Sequence, residues 1–178
     1  MQVNLKENMD KKNQKEIFLH PGQFYFAGTG TQIGTLLGSC IAICLWHPVL
    51  KIGGMCHFVM PTASDPKVTG LDGRYAEDAM EMFHQSVRMK NSAMKEYQAL
   101  IYGGGNMMNV STKAEEDTIG MRNAGVAMEL LMADQVAIMV VDVGENWARR
   151  ISFNVATGEV KVIKQEQKIH LTTRKLND

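Results

Sequence analysis

The sequence predicts a layered α/β domain, α+β in type, in which mixed and largely antiparallel sheets carry packed helices. Three observations predict it. Two apolar, partly β-branched runs, Gly34 to Trp46 and Ile52 to Pro61, flank a short segment containing Pro48 and read as a β-hairpin turning at Pro48-Val49. Neither face of that hairpin is polar: Ile41, Ile43 and Leu45 alternate with Cys40, Ala42, Cys44 and Trp46, so both faces must be covered. Two later stretches carry apolar residues at helical spacing and supply the cover.

Residues 1–16 are polar and offer nothing to bury, which reads as a mobile tail ahead of a domain at 17–164. Phe24-Tyr25-Phe26 reads as the first strand, and Gly28 to Thr31 as a turn. The hairpin follows, with a turn-rich loop at 62–74 immediately downstream of it. From Tyr75 to about Lys90, Ala76, Ala79, Met80, Phe83, Val87 and Met89 draw one stripe of a helix, on which His84 has no spaced partner and reads as structural or exposed. Tyr97 to Tyr102 reads as a strand running into Gly103-Gly104-Gly105-Asn106. A second helix spans Ile119 to Ala133, an apolar strand expected to be central spans Gln135 to Val143, and a C-terminal hairpin turns at Ala156-Thr157-Gly158. The methionines, Met107, Met108, Met128 and Met132 included, read as core filler. Residues 165–178 read as a polar surface appendage.

The totals exclude several classes. At 178 residues the chain suits one domain that buries about two thirds of its unfolded surface without a disulfide or metal. Lys plus Arg equals Asp plus Glu at 19 each, which gives no support to general binding of nucleic acid or anionic membrane. The N-terminus lacks the apolar core of a signal peptide, and the run from Ile33 to Trp46 is too short to span a bilayer. A cytoplasmic protein without membrane insertion is expected. An odd set of three cysteines, at 40, 44 and 56, suits reduced thiols. No CxxC or paired-histidine spacing supports zinc, no GxSxG elbow surrounds Ser39, and the glycines near 28 and 104 lack the rest of a nucleotide or phosphate loop.

One pairing stands out chemically. In an antiparallel hairpin with a two-residue turn at 48 and 49, Cys40 faces His57, with Cβ atoms roughly 5 Å apart. A thiol beside an imidazole can be activated for attack on a carbonyl carbon. Gly38 and Ser39 give the cysteine a small, flexible approach and can aim backbone N–H groups at a developing oxyanion. Cys44 reads as packing. The glycine run at 103–105 marks close backbone approach at a strand end, and Arg149 and Arg150 read as surface ion pairs.

The segment Leu37-Gly38-Ser39-Cys40, the Gly53-Gly54-Met55 run into His57-Phe58, Pro61, Tyr75, Gly103 to Met107, Ile119-Gly120 with Asn123, Asp142-Val143-Gly144, Arg149-Arg150 and Thr157-Gly158 together resemble CheD, the bacterial chemoreceptor glutamine deamidase family. The resemblance implies an α/β sandwich similar to a deamidase toxin domain. It further implies Cys40 as nucleophile, His57 as base and Thr35 as third member, with Thr31 the nearby alternative, and places Gly104, Gly105, Asn106 and Tyr75 as candidates for the substrate cleft. Implied partners are chemoreceptor cytoplasmic helices and CheC-type phosphatases, the latter giving an alternative function as a regulatory binding module. A thiol mechanism needs no cofactor, and a glutamyl methyl ester would form the same thioester as a glutamine.

Overall fold

The computed structural model describes residues 14–62, 70–106 and 118–166. Among the described residues, nine strands form two sheets. In the first, β1 (Lys15–Leu19), β3 (Thr31–Leu37), β8 (Trp147–Asn154) and β9 (Val160–Glu166) lie in the order β1-β3-β8-β9. In the second, β2 (Phe24–Ala27), β5 (Ile52–Phe58), β4 (Ile41–His47), β6 (Gln98–Gly103) and β7 (Ala137–Val143) lie in the order β2-β5-β4-β6-β7. The β1–β3 and β6–β7 pairs are parallel and the others antiparallel.

Three layers follow from the burial pattern. Ile33, Leu37, Ile151 and Phe153 of the first sheet meet Ala42, Cys44, Met55 and Tyr102 of the second. The opposite face of the second sheet, Ile41, Ile43, Leu45, Cys56 and Phe58, is covered by the helices α1 (Ala76–Met89) and α2 (Ile119–Ala133). Both faces of β4 are thus buried, as its unbroken apolar sequence requires, and the fold is a mixed α/β sandwich. Helix α1 has Glu77 and Asp78 in its first turn and Arg88 in its last, each favourable to the helix dipole. Thr118 caps α2 by accepting a hydrogen bond from the Met121 amide at 3.2 Å. His84 ties the two helices together through Asp134, at 2.6 Å.

Several expectations are corrected. The apolar run from Ile33 to Trp46 is two strands in different sheets, broken by a bend at 38–40, so Cys40 sits on the bend and not in a strand. The β4–β5 turn has four residues instead of two: the His47 ring accepts hydrogen bonds from the Val49 and Leu50 amides, and Lys51 closes it in the left-handed region at φ 54. Ala42 therefore faces His57, and Cys56 faces Ile43. A shift of two residues keeps every side chain on its expected face. Strand β7 is an edge and not central; composition signals a strand, not its place in a sheet, and α2 crosses over to lay β7 parallel outside β6. The first strand is β1, whose Lys15 and Glu16 fall inside the stretch expected to be tail, and β9 reaches Glu166. Among the methionines, Met80 is buried and Met128 half-buried, whereas Met89 and Met132 are exposed at helix ends; Met107 and Met108 lie outside the described residues.

Candidate active site

Strand β5 turns Met55 and His57 into the space between the sheets, and β3 turns Ile33, Thr35 and Leu37 into it from the other side. Thr35 and His57 meet there. The Thr35 hydroxyl donates to the Leu19 carbonyl at 2.8 Å, and its oxygen lies 2.8 Å from His57 Nδ1. A hydroxyl that has spent its one proton can only accept, so Nδ1 carries the hydrogen and Nε2 carries the lone pair. Among the described residues Nε2 has no partner, although it is buried. Thr31, also buried, lies at the far end of β3, paired with Lys15, and does not reach the ring.

Burial pushes the His57 pKa down to about 4, against the raising effect of the Leu19 carbonyl; His20 lowers it further. The ring is neutral at neutral pH. Cys40, half-buried, packs against the same inter-sheet cluster. Burial pushes its thiol up, partly offset by the nearby dipole of its own backbone amide. Cys44 and Cys56 are fully buried and their thiols are pushed up as well, Cys56 to about 12.

The bend is held by its carbonyls. The Gly105 amide donates to Gly38 O at 2.8 Å and the Gly104 amide to Cys40 O at 2.9 Å. Between them, Asn123 of α2 points its Nδ2 at Ser39 O, 3.5 Å away, and at Val59 O, 2.7 Å away. The glycine run has a defined task here. Gly103 has φ +121, and a Cβ on it would stand 2.1 Å from the Cys40 carbonyl oxygen; a Cβ on Gly120 would stand 2.3 Å from Gly104 O. Helix and loop thus close on the cysteine bend backbone to backbone.

Two residues that carry this geometry escape a sequence reading. Arg149, expected at the surface, has a fully buried side chain. It donates to Asp142 Oδ1 at 3.0–3.1 Å and to the carbonyls of Gly144 at 2.9 Å and Gly103 at 3.4 Å, bracing the glycine run from behind. Its alternation with Ile151, Phe153 and Val155 on the inward face of the strand was the available signal. Asn123 occupies the narrow buried face of α2 with Gly120, Ala124 and Ala127, and that helical spacing was its signal.

Of the cleft candidates, Gly104 and Asn106 line a cavity of about 440 Å³ with Thr118, Met121 and Glu145, behind the bend. Gly105 is buried beside them. Tyr75 lies apart, at the N-terminus of α1, bridged to Met60. Residues 63–69 of the turn-rich loop at 62–74 lie outside the described residues. Among the described residues, no cluster of side chains could hold a metal ion, and no helix is long and apolar enough to cross a membrane.

The model of the family described as CheD chemotactic sensory transduction matches residues 59–164. The probable chemoreceptor glutamine deamidase CheD 3 of Dechloromonas aromatica is 43% identical over 82% of this chain and 85% of its own length. The probable chemoreceptor glutamine deamidase CheD 1 of Chromobacterium violaceum is 35% identical over 87% of this chain and 80% of its own. A third relative, the probable chemoreceptor glutamine deamidase CheD 2 of Albidiferax ferrireducens, is 38% identical over 84% of this chain and 87% of its own.

Proposed function

This chain belongs to the CheD family, and from that premise we propose that it hydrolyses glutamine side chains of chemoreceptors to glutamate, with Cys40 as nucleophile, His57 as proton carrier and Thr35 as the residue that holds the ring. The observation that carries the reading is the chain from His57 Nδ1 to Thr35 to Leu19 O. It leaves a buried Nε2 lone pair, without a partner among the described residues, on the sheet face against which Cys40 packs.

The chemistry follows from two neutral groups. The resting pair is thiol and imidazole, because burial disfavours both charged forms. As the substrate carboxamide arrives, Cys40 gives its proton to Nε2 while the sulfur forms a bond to the carbonyl carbon. Catalytic contacts of this kind tighten when substrate is bound. The oxyanion takes hydrogen bonds from backbone amides of the Gly38-Ser39-Cys40 bend. The imidazolium then protonates the departing nitrogen, the C–N bond breaks, and ammonia leaves a thioester. Water, deprotonated by Nε2, attacks the thioester; the C–S bond breaks, glutamate departs, and the thiol regains its proton. A glutamyl methyl ester enters the same thioester with methanol as leaving group. The substrate is the cytoplasmic helical part of a chemoreceptor, which places the protein in the cytoplasm.

The test is mass spectrometry of a chemoreceptor cytoplasmic fragment incubated with wild-type protein and with Cys40→Ala, scored for conversion of glutamine to glutamate and of methyl ester to acid. Conversion by the wild type alone is expected. Equal conversion by Cys40→Ala overturns the mechanism. A Cys40→Ala protein that still stimulates a CheC-type phosphatase would show a binding role separate from catalysis.

A further inference from the structure

Asn123 is wholly buried, and its amide is half used: Nδ2 has two carbonyl partners, and Oδ1 has none among the described residues. The orientation is fixed, because swapping the two ends would press Oδ1 against the oxygens of Ser39 and Val59. Burying an amide with its acceptor unmet is unfavourable to folding, and an apolar side chain would fill the place without that cost. The donor half must therefore do something packing does not. What it does is legible from its two partners: Ser39 immediately precedes Cys40, and Val59 stands two residues after His57.

Resting on the reading of Cys40 and His57 as the reacting pair, we propose that Asn123 is a positioning residue for the reaction, joining the segment that bears the nucleophile to the strand end that bears the base and orienting the Cys40 amide. Peptide planarity makes the second part follow from the first. In a trans peptide the C=O and N–H point in opposite directions, so drawing Ser39 O toward the helix turns the Cys40 N–H away from it. That N–H belongs to the Gly38-Ser39-Cys40 bend, whose backbone amides are the oxyanion donors of the proposed reaction. Turned away from the helix, it is free of the Asn123 contact and available to a substrate carbonyl that Cys40 attacks. A hydrogen bond accepted by the carbonyl also polarises the amide, which makes the N–H a better donor. Gly104 and Gly105 hold the carbonyls on either side, so Asn123 supplies the middle of three consecutive anchors, and the one that also reaches Val59, the residue that follows β5. Gly120, one turn earlier, is what lets α2 come close enough to do so.

The experiment compares wild type, Asn123→Ala, Asn123→Asp and Cys40→Ala on the chemoreceptor fragment, with kcat and KM measured from pH 5.5 to 8.5 and Cys40 alkylation followed in parallel. Loss of a positioning residue behind the reacting groups costs about 10- to 100-fold in rate. Asn123→Ala is expected to lose that much in kcat with KM within about twofold, since it touches no substrate. Asn123→Asp carries the sharper expectation. Burial among carbonyl oxygens keeps its carboxyl protonated at low pH, where its O–H donates as the amide did; as pH rises it ionises and the donor is lost. Its kcat relative to wild type should therefore fall as pH rises, a trend that loss of packing alone would not produce. A wild-type kcat for Asn123→Ala, or a pH-independent ratio for Asn123→Asp, overturns the proposal. Should Asn123→Ala fail to fold, the Asn123→Asp ratio decides. Cys40→Ala separates the two readings: if it is inactive while both Asn123 variants keep wild-type rates, the positioning role falls and the nucleophile stands; if it is active, the nucleophile itself falls.

Discussion

Protonating His57 should destabilise the folded protein by an amount that follows from its burial. An exposed histidine in the unfolded chain titrates near 6.5, whereas burial between the sheets holds His57 at about 4. A histidine whose folded value is depressed binds its proton more readily in the unfolded chain, so stability is lost as pH falls below the unfolded value. Linkage at 1.36 kcal/mol per tenfold gives a loss of about 2 kcal/mol at pH 5 and about 3 kcal/mol at pH 4, relative to pH 8. That is a large share of the 5–15 kcal/mol typical of a domain, roughly speaking. Carboxylates held low by their partners, such as Asp142 beside Arg149 and Lys164, also lose stability in acid, so the wild-type curve alone is not diagnostic. The assay is urea unfolding of wild type and His57→Asn at intervals from pH 8 to 4, with the difference between the two free energies plotted against pH. His57→Asn is expected to be less stable at pH 8 and to gain on the wild type by about 2 kcal/mol by pH 5. A difference that stays flat across that range would show the imidazole titrating as an exposed one and would remove the buried neutral base.

Three further outcomes are expected. Thr35→Val keeps the volume but removes the acceptor for Nδ1 and the donor to Leu19 O; it should cost about 2–4 kcal/mol in urea unfolding and about 10- to 100-fold in kcat, with KM little changed. Gly103→Ala meets both a positive φ and the Cys40 carbonyl; it should cost at least about 1–3 kcal/mol by thermal or urea unfolding, and alkylation kinetics should show a displaced Cys40. Arg149→Met should cost about 3 kcal/mol in urea unfolding, the low end for breaking a buried pair, because Lys164 stays 3.0 Å from Asp142 and keeps that carboxylate compensated while the Gly103 and Gly144 carbonyls lose their donor.

The faces of the hairpin, both helices and the C-terminal turn were legible in the sequence because each rests on local periodicity. The span Ile119–Ala133 falls where the apolar spacing puts it, and Thr118 supplies the cap. What local pattern does not encode is which sheet a strand joins. Residues 33–46 contain no polar break, so nothing in them separates β3 from β4; only the missing side chain at Gly38 and the small one at Ser39 mark the corner. The hairpin register slipped by two because the His47 ring makes a four-residue turn that a proline at 48 does not announce. The slip spared the face and moved Cys40 from directly opposite His57 to the bend that precedes β4, with Ala42 in its place. Thr35 was reached through family likeness and meets His57 from another sheet, a contact between residues 22 apart that no spacing rule foresees.

The choice of a threonine behind the histidine has a consequence for the chemistry. A carboxylate in that position would stabilise the imidazolium and hold the base partly charged at rest. A hydroxyl fixes the same tautomer with no net charge, so burial is free to push the ring's pKa down. In the proposed mechanism this makes His57 a weaker base and leaves Cys40 a thiol, less open to oxidation, until a carbonyl carbon is in place to take the electron pair. When the imidazolium does form, Thr35 is already donating to Leu19 O, so two aligned dipoles face the new charge without reorganising. In the proposed reaction, transfer of the proton and formation of the C–S bond are therefore tied to one event. Such an arrangement suits the proposed reaction, in which Cys40 is called on only when a receptor glutamine is bound and would otherwise face the reactive small molecules of a cell.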